Sequence, residues 1–450
     1  MSQPDSVPLT FGQLSVRRII AHWPHARWPE TYLSTAVAVP DGCPPERVAA
    51  ALSTLCRRHE SLRTHFSDTP EGPVQRVRPA ADRVEAVTVG LPAGASEPDA
   101  IATARGLANE RIDLETDFGR RFTVLTRGGR PRYVVIVADH IVADGFAHRR
   151  LRAELTELMG GDDPQGREWL AQTPAQPAEL ALFQRSDANA ARRQAALGRW
   201  AHLLETLPPE VFPVPEPAEE APGRIEAQLR SPGARSALAA GAGRLGVPAH
   251  GVLLSLTSLA VAAVTGTAQV VLTLQSSNRF RPPWHELVSS MNQYAPLPLD
   301  TGAPPAGFGR YAESVQGAAL QAYRTGSYDM DAVTELVRAE RGIALGFDHF
   351  YNFAAHDASS APGHTGAGPG RIEATRPHRQ IGPRLDVKIR SGPEMPIVVR
   401  ADPRLLPQPR LHALLAWYDE QLHRLAADGD LDMDAVVAGC RDAVGRQEVR

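Results

Sequence analysis

The chain has a single lysine and very few cysteines. Of its 48 Lys and Arg residues only Lys388 is a lysine, a composition that we attribute to genomic base composition and from which we draw no function. The three cysteines, Cys43, Cys56 and Cys440, are odd in number, lie far apart, and have neither CxxC spacing nor a nearby His pair. A disulfide framework or a zinc site is therefore not expected, and a reducing cytosol fits best.

The chain also has no strong charge and no long hydrophobic run. A net charge of −3 provides no basic surface for nucleic acid or anionic lipid. The longest apolar stretch, Val252 to Val264, is too short and too rich in Ser and Thr to span a bilayer, and the N-terminus lacks a signal-peptide pattern. We expect a cytoplasmic protein with no nucleic-acid or membrane partner.

With 450 residues, 43% hydrophobic and 22% charged, the chain is long enough for two domains. Its periodicity alternates between strand and helix, which predicts an α/β fold. The predicted helices are 44–62, a segment after Gly145, 233–245 and 248–264, and the predicted strands are 121–126, 133–138 and 270–275. Stretches rich in Pro, Gly and Glu at 160–180 and 207–223 place the boundary between domains 1–175 and 176–450, and the small, polar residues 356–370 predict a mobile loop.

One segment stands out chemically. In 132–145, RYVVIVADHIVADG, a hydrophobic strand leads into a turn that carries Asp139, His140, Asp144 and Gly145. An isolated His in this setting is more often structural than catalytic. The first three residues have the right types for a metal site, but no second His follows at i+4 and neighbouring strand residues point to opposite faces, so no metal is expected. GxSxG and GxxxxGKS/T motifs are absent, which argues against a serine acyl-enzyme and against ATP hydrolysis.

Several segments together carry a family resemblance. Residues 137–145 resemble the HHxxxDG signature of the condensation domains of nonribosomal peptide synthetases and their relatives, the acyltransferases of the chloramphenicol acetyltransferase type. Residues 58–66, RHESLRTHF, are very similar to the family's RHExLRTxF motif, and 9–13 stand where its first motif is found. The resemblance continues through the second half and so covers essentially the whole chain. It includes the helix, strand and turn that end at Arg279, the segment 290–299 with Asn292 in register, and diffuse matches at 327–337 and 347–353.

The resemblance implies an α/β (α+β sandwich) fold of two chloramphenicol acetyltransferase-like lobes, arranged as a V-shaped pseudo-dimer with an active-site tunnel between them. It implies a free-standing condensation enzyme that transfers a carrier-bound acyl or aminoacyl thioester to a small-molecule amine or alcohol. No bound cofactor is expected, because the substrate would arrive on the phosphopantetheine arm of an acyl or peptidyl carrier protein.

The resemblance also assigns roles to residues. His140 would act as general base or would position the amine or alcohol, and its ordinary pKa of about 6.5 suits proton transfer near neutral pH. Gly145 would let the backbone approach closely, with its N–H facing the reacting carbonyl. Asp144 would pair structurally with Arg279 from the other lobe, and His59 would be structural. Asn292 would either contact the substrate region or be a turn residue.

The sequence departs from the family at its first motif histidine, which is Asp139 here. A buried carboxylate needs a partner, so we expect an Arg or a backbone N–H beside Asp139, which belongs to the structural support of the site. Two alternatives to condensation stay open. One is a degenerate domain that docks carrier proteins or recruits other enzymes, and the other is an acyltransferase that uses coenzyme A.

Overall fold

A computed structural model describes residues 6–160, 168–208, 222–354, 370–392 and 394–445. The chain forms two compact units. The first comprises Met1–Ala195, Ser277–Gln293 and Ser327–Met330, and the second Ala196–Ser276, Tyr294–Gly326 and Asp331–Arg450. The predicted boundary at residue 175 lies before this division, and two short segments from the second half of the chain belong to the first unit.

The first unit contains strands from the start of the chain and helices that pack on them. Its strands are β1 (Val7–Pro8), β2 (Leu33–Ala38), β3 (Thr64–Thr69), β4 (Gly72–Val77), β5 (Val87–Gly90), β6 (Arg120–Arg127) and β7 (Arg130–Ala138). Its helices are α1 (Phe11–Ile20), α2 (Pro45–Arg58), α3 (Glu97–Leu107), α4 (Gly145–Gly160), α5 (Glu168–Ala171), α6 (Pro177–Arg185) and the start of α7 (Ala190–Thr206). The strands form two sheets, with orders β2-β7-β6-β5 and β1-β4-β3.

The second unit is built around one larger sheet. Its strands are β8 (Ile225–Arg230), β9 (Gln269–Ser276), β10 (Gln293–Asp300), β11 (Phe350–Phe353), β12 (Arg371–Thr375), β13 (Leu385–Ile389) and β14 (Ile397–Ala401). Its helices are α8 (Ala234–Leu245), α9 (Ala249–Thr265), α10 (Phe308–Arg324), α11 (Met330–Arg341), α12 (Gln408–Asp428) and α13 (Met433–Val444). The strand order β10-β9-β11-β13-β14-β8-β12 mixes parallel and antiparallel pairs, and buried residues from α8, α9, α10, α12 and α13 share one hydrophobic core with the sheet.

The mixed α/β composition predicted from the sequence is confirmed, and most predicted elements lie within a few residues of their observed bounds. The helix predicted over 44–62 was too long. It ends at Arg58 because His59 leaves helical geometry with φ −116° and ψ 105°, and a 3-10 turn follows at Glu60–Arg63. The linker predicted over 160–180 was also partly wrong, since α6 begins at Pro177, where proline is favoured in the first helical turn. Residues 209–221 of the second linker and 356–369 of the predicted loop lie outside the described residues.

Strand β7 is the element that positions the site. It lies between β2 and β6, and Val134 to Ala138 are fully buried or nearly so. Such a central strand reads as a continuous apolar run because both of its faces are covered. The buried strand therefore fixes the position of the turn that follows Ala138.

Candidate active site

The turn between β7 and α4 carries the four predicted residues Asp139, His140, Asp144 and Gly145. The N–H of Asp139 donates to the carbonyl of Gly119 at 2.8 Å, and the N–H of Val142 donates to the carbonyl of Asp139 at 3.0 Å. These bonds fix the first part of the turn against the neighbouring strand and against itself.

Asp139 supports the turn with its side chain as well. Its Oδ1 accepts the N–H of Ile141 at 2.9 Å, which is the backbone partner that the sequence predicted. The side chain is 1% exposed, and Oδ2 has no hydrogen-bond partner among the described residues. Burial raises the pKa of Asp139 to about 6, while the Ile141 bond and the charge of Arg17 act in the opposite direction. The Asp139 carboxyl thus holds the turn through the Ile141 N–H, but its ionised form destabilises the fold because one buried oxygen has no partner among the described residues.

His140 points the other way and is partly exposed. Its Nδ1 lies 3.3 Å from Oγ of Ser290, and the Ser290 hydroxyl lies 3.3 Å from Oδ1 of Asn292, to which it donates. A hydroxyl has one hydrogen, so donation to Asn292 leaves Ser290 to accept Nδ1–H of the imidazole. In that tautomer Nε2 of His140 is the unprotonated ring nitrogen, which is the state that a general base requires.

Asp144 lies at the start of α4 and is completely satisfied. Its oxygens accept both terminal nitrogens of Arg279, at 2.6 and 3.0 Å, and the N–H groups of Ala147 at 2.9 Å and Met291 at 3.0 Å. Burial acts to raise the pKa of Asp144, but the charge and hydrogen bonds of Arg279, together with the N–H groups of Ala147 and Met291, outweigh it and hold the pKa below its usual range. Asp144 therefore caps α4 and fixes the segment 277–293 at the same time.

Arg279 was predicted to reach Asp144 from the other lobe. The pair exists, but the segment that contains Arg279 belongs to the same compact unit as the turn. Arg279 also donates to the carbonyls of Leu287 at 3.1 Å and Ser289 at 3.0 Å, so it orders the backbone that presents Ser290 and Asn292. The bonds of Asp144 with Arg279 and with the N–H of Met291 attach the segment to the rest of the first unit.

Gly145 is exposed, and a Cβ built on it would meet no atom within 4 Å. The sequence interpretation was that glycine allows a close approach of the backbone. No protein atom makes such an approach here, so the space beside Gly145 is open at the first residue of α4. A helix start presents N–H groups that have no partner within the helix.

Sequence reasoning missed His148, one turn into α4. Its side chain is 5% exposed, and neither ring nitrogen has a hydrogen-bond partner among the described residues. Burial, with a smaller contribution from the charge of His140, lowers the pKa of His148 to about 4. The spacing of four residues from Asp144 was the signal, since it places His148 on the same face of the helix as the motif.

The RHExLRTxF segment and the turn are joined by side chains. Nε2 of His59 lies 2.8 Å from Glu154 on α4, and the Ser61 hydroxyl donates to the carbonyl of Val142 within the turn. His59 and Glu154 are both buried, and the hydrogen bond and charge of His59 contribute to lowering the pKa of Glu154 to about 2 against its burial. His59 therefore has a structural partner, which the sequence did not identify.

The N-terminal motif contacts the same region. Thr10 and Gln13 form a reciprocal capping box at the start of α1, with bonds of 2.9 and 3.2 Å. A Cβ on Gly12 would collide with the backbone of Ser290 and Met291. Glycine at this position lets α1 pack directly on the segment that supports His140.

Within the described residues, no group of three or more His, Cys, Asp or Glu side chains could hold a metal ion. In the same residues no single helix is long and apolar enough to cross a membrane. The pair α8 and α9, bent by 97°, meets that criterion together by length and composition only. The side chains of α9 that face the sheet are part of the core of the second unit.

A protein-family model described as Condensation domain matches residues 17–367. The chain is 30% identical over 168 residues to cyclosporin synthetase simA of Tolypocladium inflatum, a match that covers 37% of this chain and 1% of that protein. The chain thus spans a very small part of this curated relative.

Solved structures share the fold at low sequence identity. The condensation domain of the monacolin K polyketide synthase MokA superposes with a TM-score of 0.75 at 16% identity, covering 95% of this chain and 99% of that one. The X-domain from teicoplanin biosynthesis superposes with a TM-score of 0.68 at 19% identity, covering 96% and 98%.

Proposed function

Since the chain belongs to the condensation-domain family of nonribosomal peptide and polyketide biosynthesis, we propose that it transfers an acyl or aminoacyl group from a carrier-protein thioester to an amine or hydroxyl. The product is an amide or an ester. The observation that carries this proposal is the contact of His140 Nδ1 with Ser290, which favours the tautomer in which Nε2 is unprotonated.

The reaction needs little beyond positioning and proton transfer, because a thioester carbonyl is already activated. The nucleophile attacks the carbonyl carbon, and Nε2 of His140 takes its proton. The C–S bond then breaks, and the departing thiolate receives that proton from the imidazolium. Ser290 accepts from Nδ1–H throughout and keeps the ring oriented.

The open space beside Gly145 suits the thioester carbonyl. Asp144 uses the N–H of Ala147 but leaves the N–H groups of the first helical residues available. At a helix start these groups stabilise negative charge, such as the oxyanion of the tetrahedral intermediate. This assigns Gly145 to oxyanion binding and His140 to proton transfer.

The test is intact-protein mass spectrometry of an acyl-loaded carrier protein, mixed with this protein and a panel of amines and alcohols. Loss of the acyl mass together with a new amide or ester is expected, and His140→Ala should abolish both while its thermal unfolding stays unchanged. His22→Ala, which removes an exposed histidine, is the matched control and should retain full turnover. Acyl transfer that survives in His140→Ala would refute the proposal.

A second candidate function is recruitment without catalysis. It is favoured by Asp139, which stands where the family's motif has its first histidine. In this function the domain binds a carrier protein or a partner enzyme without chemistry. It predicts a stable complex on size-exclusion chromatography, no acyl transfer under any condition, and equal binding by His140→Ala. Parallel reactions with free acyl-coenzyme A separate the third possibility, since saturation without any carrier protein would identify a coenzyme A-dependent acyltransferase.

A further inference from the structure

One face of the sheet of the second unit packs into the hydrophobic core, and the opposite face, called the polar face below, carries charged and amide side chains together with Phe350 and Val398. Along β13, the alternate residues Leu385, Val387 and Ile389 point into the hydrophobic core, so Asp386 and Lys388 lie on the opposite face. The strand register places Asn352 of β11 beside Lys388, and Phe350 beside Asp386. The single lysine of the chain therefore stands near the middle of the polar face.

The polar neighbours of Lys388 are paired with one another. Asp386 accepts a terminal nitrogen of Arg400 at 2.9 Å, and the Asn352 amide donates to Oε1 of Gln275 at 3.0 Å. Lys388 itself has no hydrogen bond or ion pair among the described residues, and its side chain is partly buried. An ammonium that has lost part of its hydration and has no protein counter-ion gains from pairing with an anion.

The local charge is positive. Burial lowers the pKa of Lys388, Asp386 acts in the opposite direction, and the charges of Arg390, Arg379 and Arg400 lower it further. Because Arg400 already neutralises Asp386, the remaining field around the ammonium favours an anion.

Aromatic side chains lie on the same face of the sheet, next to Asp386. The ring of Tyr294 on β10 contacts the ring of Phe350 at 4.5 Å between centroids, and that of Phe347 at 5.0 Å. A single cation next to aromatic rings is the usual composition of a site for an organic molecule that carries one charged group.

We propose that Lys388 binds an oxyanion, a carboxylate or a phosphate, carried by a substrate of this domain. The inference deepens the proposed function, on which it rests for the identity of the bound molecule. Two sources share this chemistry: a free carboxylate on the acyl or acceptor group, and the phosphate of the phosphopantetheine arm.

The unique lysine makes the test direct. Reductive methylation with ¹³C-formaldehyde labels one side chain, and Lys388→Arg identifies its NMR signal against that of the terminal amine. The labelled protein is titrated with N-acetylglycine, pantetheine 4′-phosphate and inorganic phosphate, with sodium chloride at equal ionic strength as the blank. A saturable shift of the Lys388 signal is expected, with a rise in the apparent pKa of the amine.

The titrations distinguish the sources. A shift with pantetheine 4′-phosphate but not with unphosphorylated pantetheine identifies the phosphate, whereas a shift with N-acetylglycine but not with its amide identifies a carboxylate. Shifts no larger than those with chloride would overturn the inference. This readout needs no turnover, so it remains decisive even if condensation itself is disproved.

Kinetics provide the second measurement. Lys388→Met should raise KM for the anionic substrate roughly ten- to hundredfold with little change in kcat, since a charge-assisted hydrogen bond is lost. Lys388→Arg should recover most of the affinity. Arg338→Met removes one exposed positive charge from the same unit and should leave KM unchanged. An unaltered KM in folded Lys388→Met would also overturn the inference.

Discussion

Arg279 and Asp144 form a two-pronged ion pair, although 135 positions separate them in the chain. Both side chains are buried, so removal of one charge leaves the other uncompensated. Asp144→Asn should therefore lower the free energy of unfolding by about 3–5 kcal/mol. Urea unfolding at pH 7.5 measures this, with Asp117→Asn as the control, because its pair with Arg121 is exposed and should contribute less than about 1 kcal/mol. Equal effects of the two variants would contradict a buried structural pair.

Ser290→Ala should reduce kcat without reducing stability. The hydroxyl accepts Nδ1–H of His140, and without it the tautomer with an unprotonated Nε2 is no longer favoured, which costs roughly ten- to hundredfold in rate. Single-turnover assays of acyl transfer measure this. The neighbouring Ser289 provides a matched control, because its buried hydroxyl has no partner among the described residues and its loss should leave kcat unchanged. If both variants are equally active, Ser290 has no role in positioning the imidazole.

Asp139→Asn should stabilise the protein at neutral pH. The folded pKa of about 6 lies above the ordinary 3.8, so the advantage of the protonated carboxyl is present below pH 3.8 and is lost as pH rises through 6. Asparagine keeps an acceptor for Ile141 and carries no charge. We expect a gain of about 1–3 kcal/mol at pH 7.5 and none near pH 4. Chemical unfolding across this pH range measures the free energy of unfolding, with the exposed Asp82→Asn as the control. A loss of stability in Asp139→Asn at pH 7.5 would show that the ionised carboxyl is needed.

His148 should make stability depend on pH in the opposite direction. Its folded pKa of about 4 lies below the ordinary 6.5, so the stability of the neutral imidazole is complete above pH 6.5 and is lost as pH falls towards 4. The loss amounts to at most about 3 kcal/mol. Because the window overlaps that of Asp139, the measurement belongs in the Asp139→Asn background. There, His148→Leu should abolish the decline at acidic pH; a decline that persists would place its origin elsewhere.

Gly12→Ala should disturb the site from a distance. The added methyl group collides with the backbone of Ser290 and Met291, which costs about 1–3 kcal/mol and displaces the hydroxyl beside His140. Both thermal stability and kcat should fall. Gly106→Ala, in an exposed position of α3 where a methyl group meets no atom within 4 Å, should leave kcat unchanged and raise stability slightly. An unchanged kcat in Gly12→Ala would show that the packing of α1 does not affect the active site.

The sequence predicted the local features well, because they depend on neighbours along the chain. The apolar run of β7, the turn after it and the helix from Gly145 follow from periodicity and turn chemistry. Side-chain contacts over long separations did not follow. Nothing in the sequence indicates that Ser290 lies beside His140, or that His59 meets Glu154, since packing of distant segments decides these contacts. The early end of α2 has the same cause, because His59 leaves the helix to reach its partner.

The return of residues 277–293 to the first unit bears on how this protein can be divided. A fragment that ends at Ala195 would contain Asp139, His140 and Asp144, but it would lack Arg279, Ser290 and Asn292. Its imidazole would lose the hydroxyl that orients it, and its capping carboxylate would lose its counter-ion. The first 195 residues are thus not an independent module for domain exchange, and recombination of such domains should keep the segment 277–293 together with the turn that it supports.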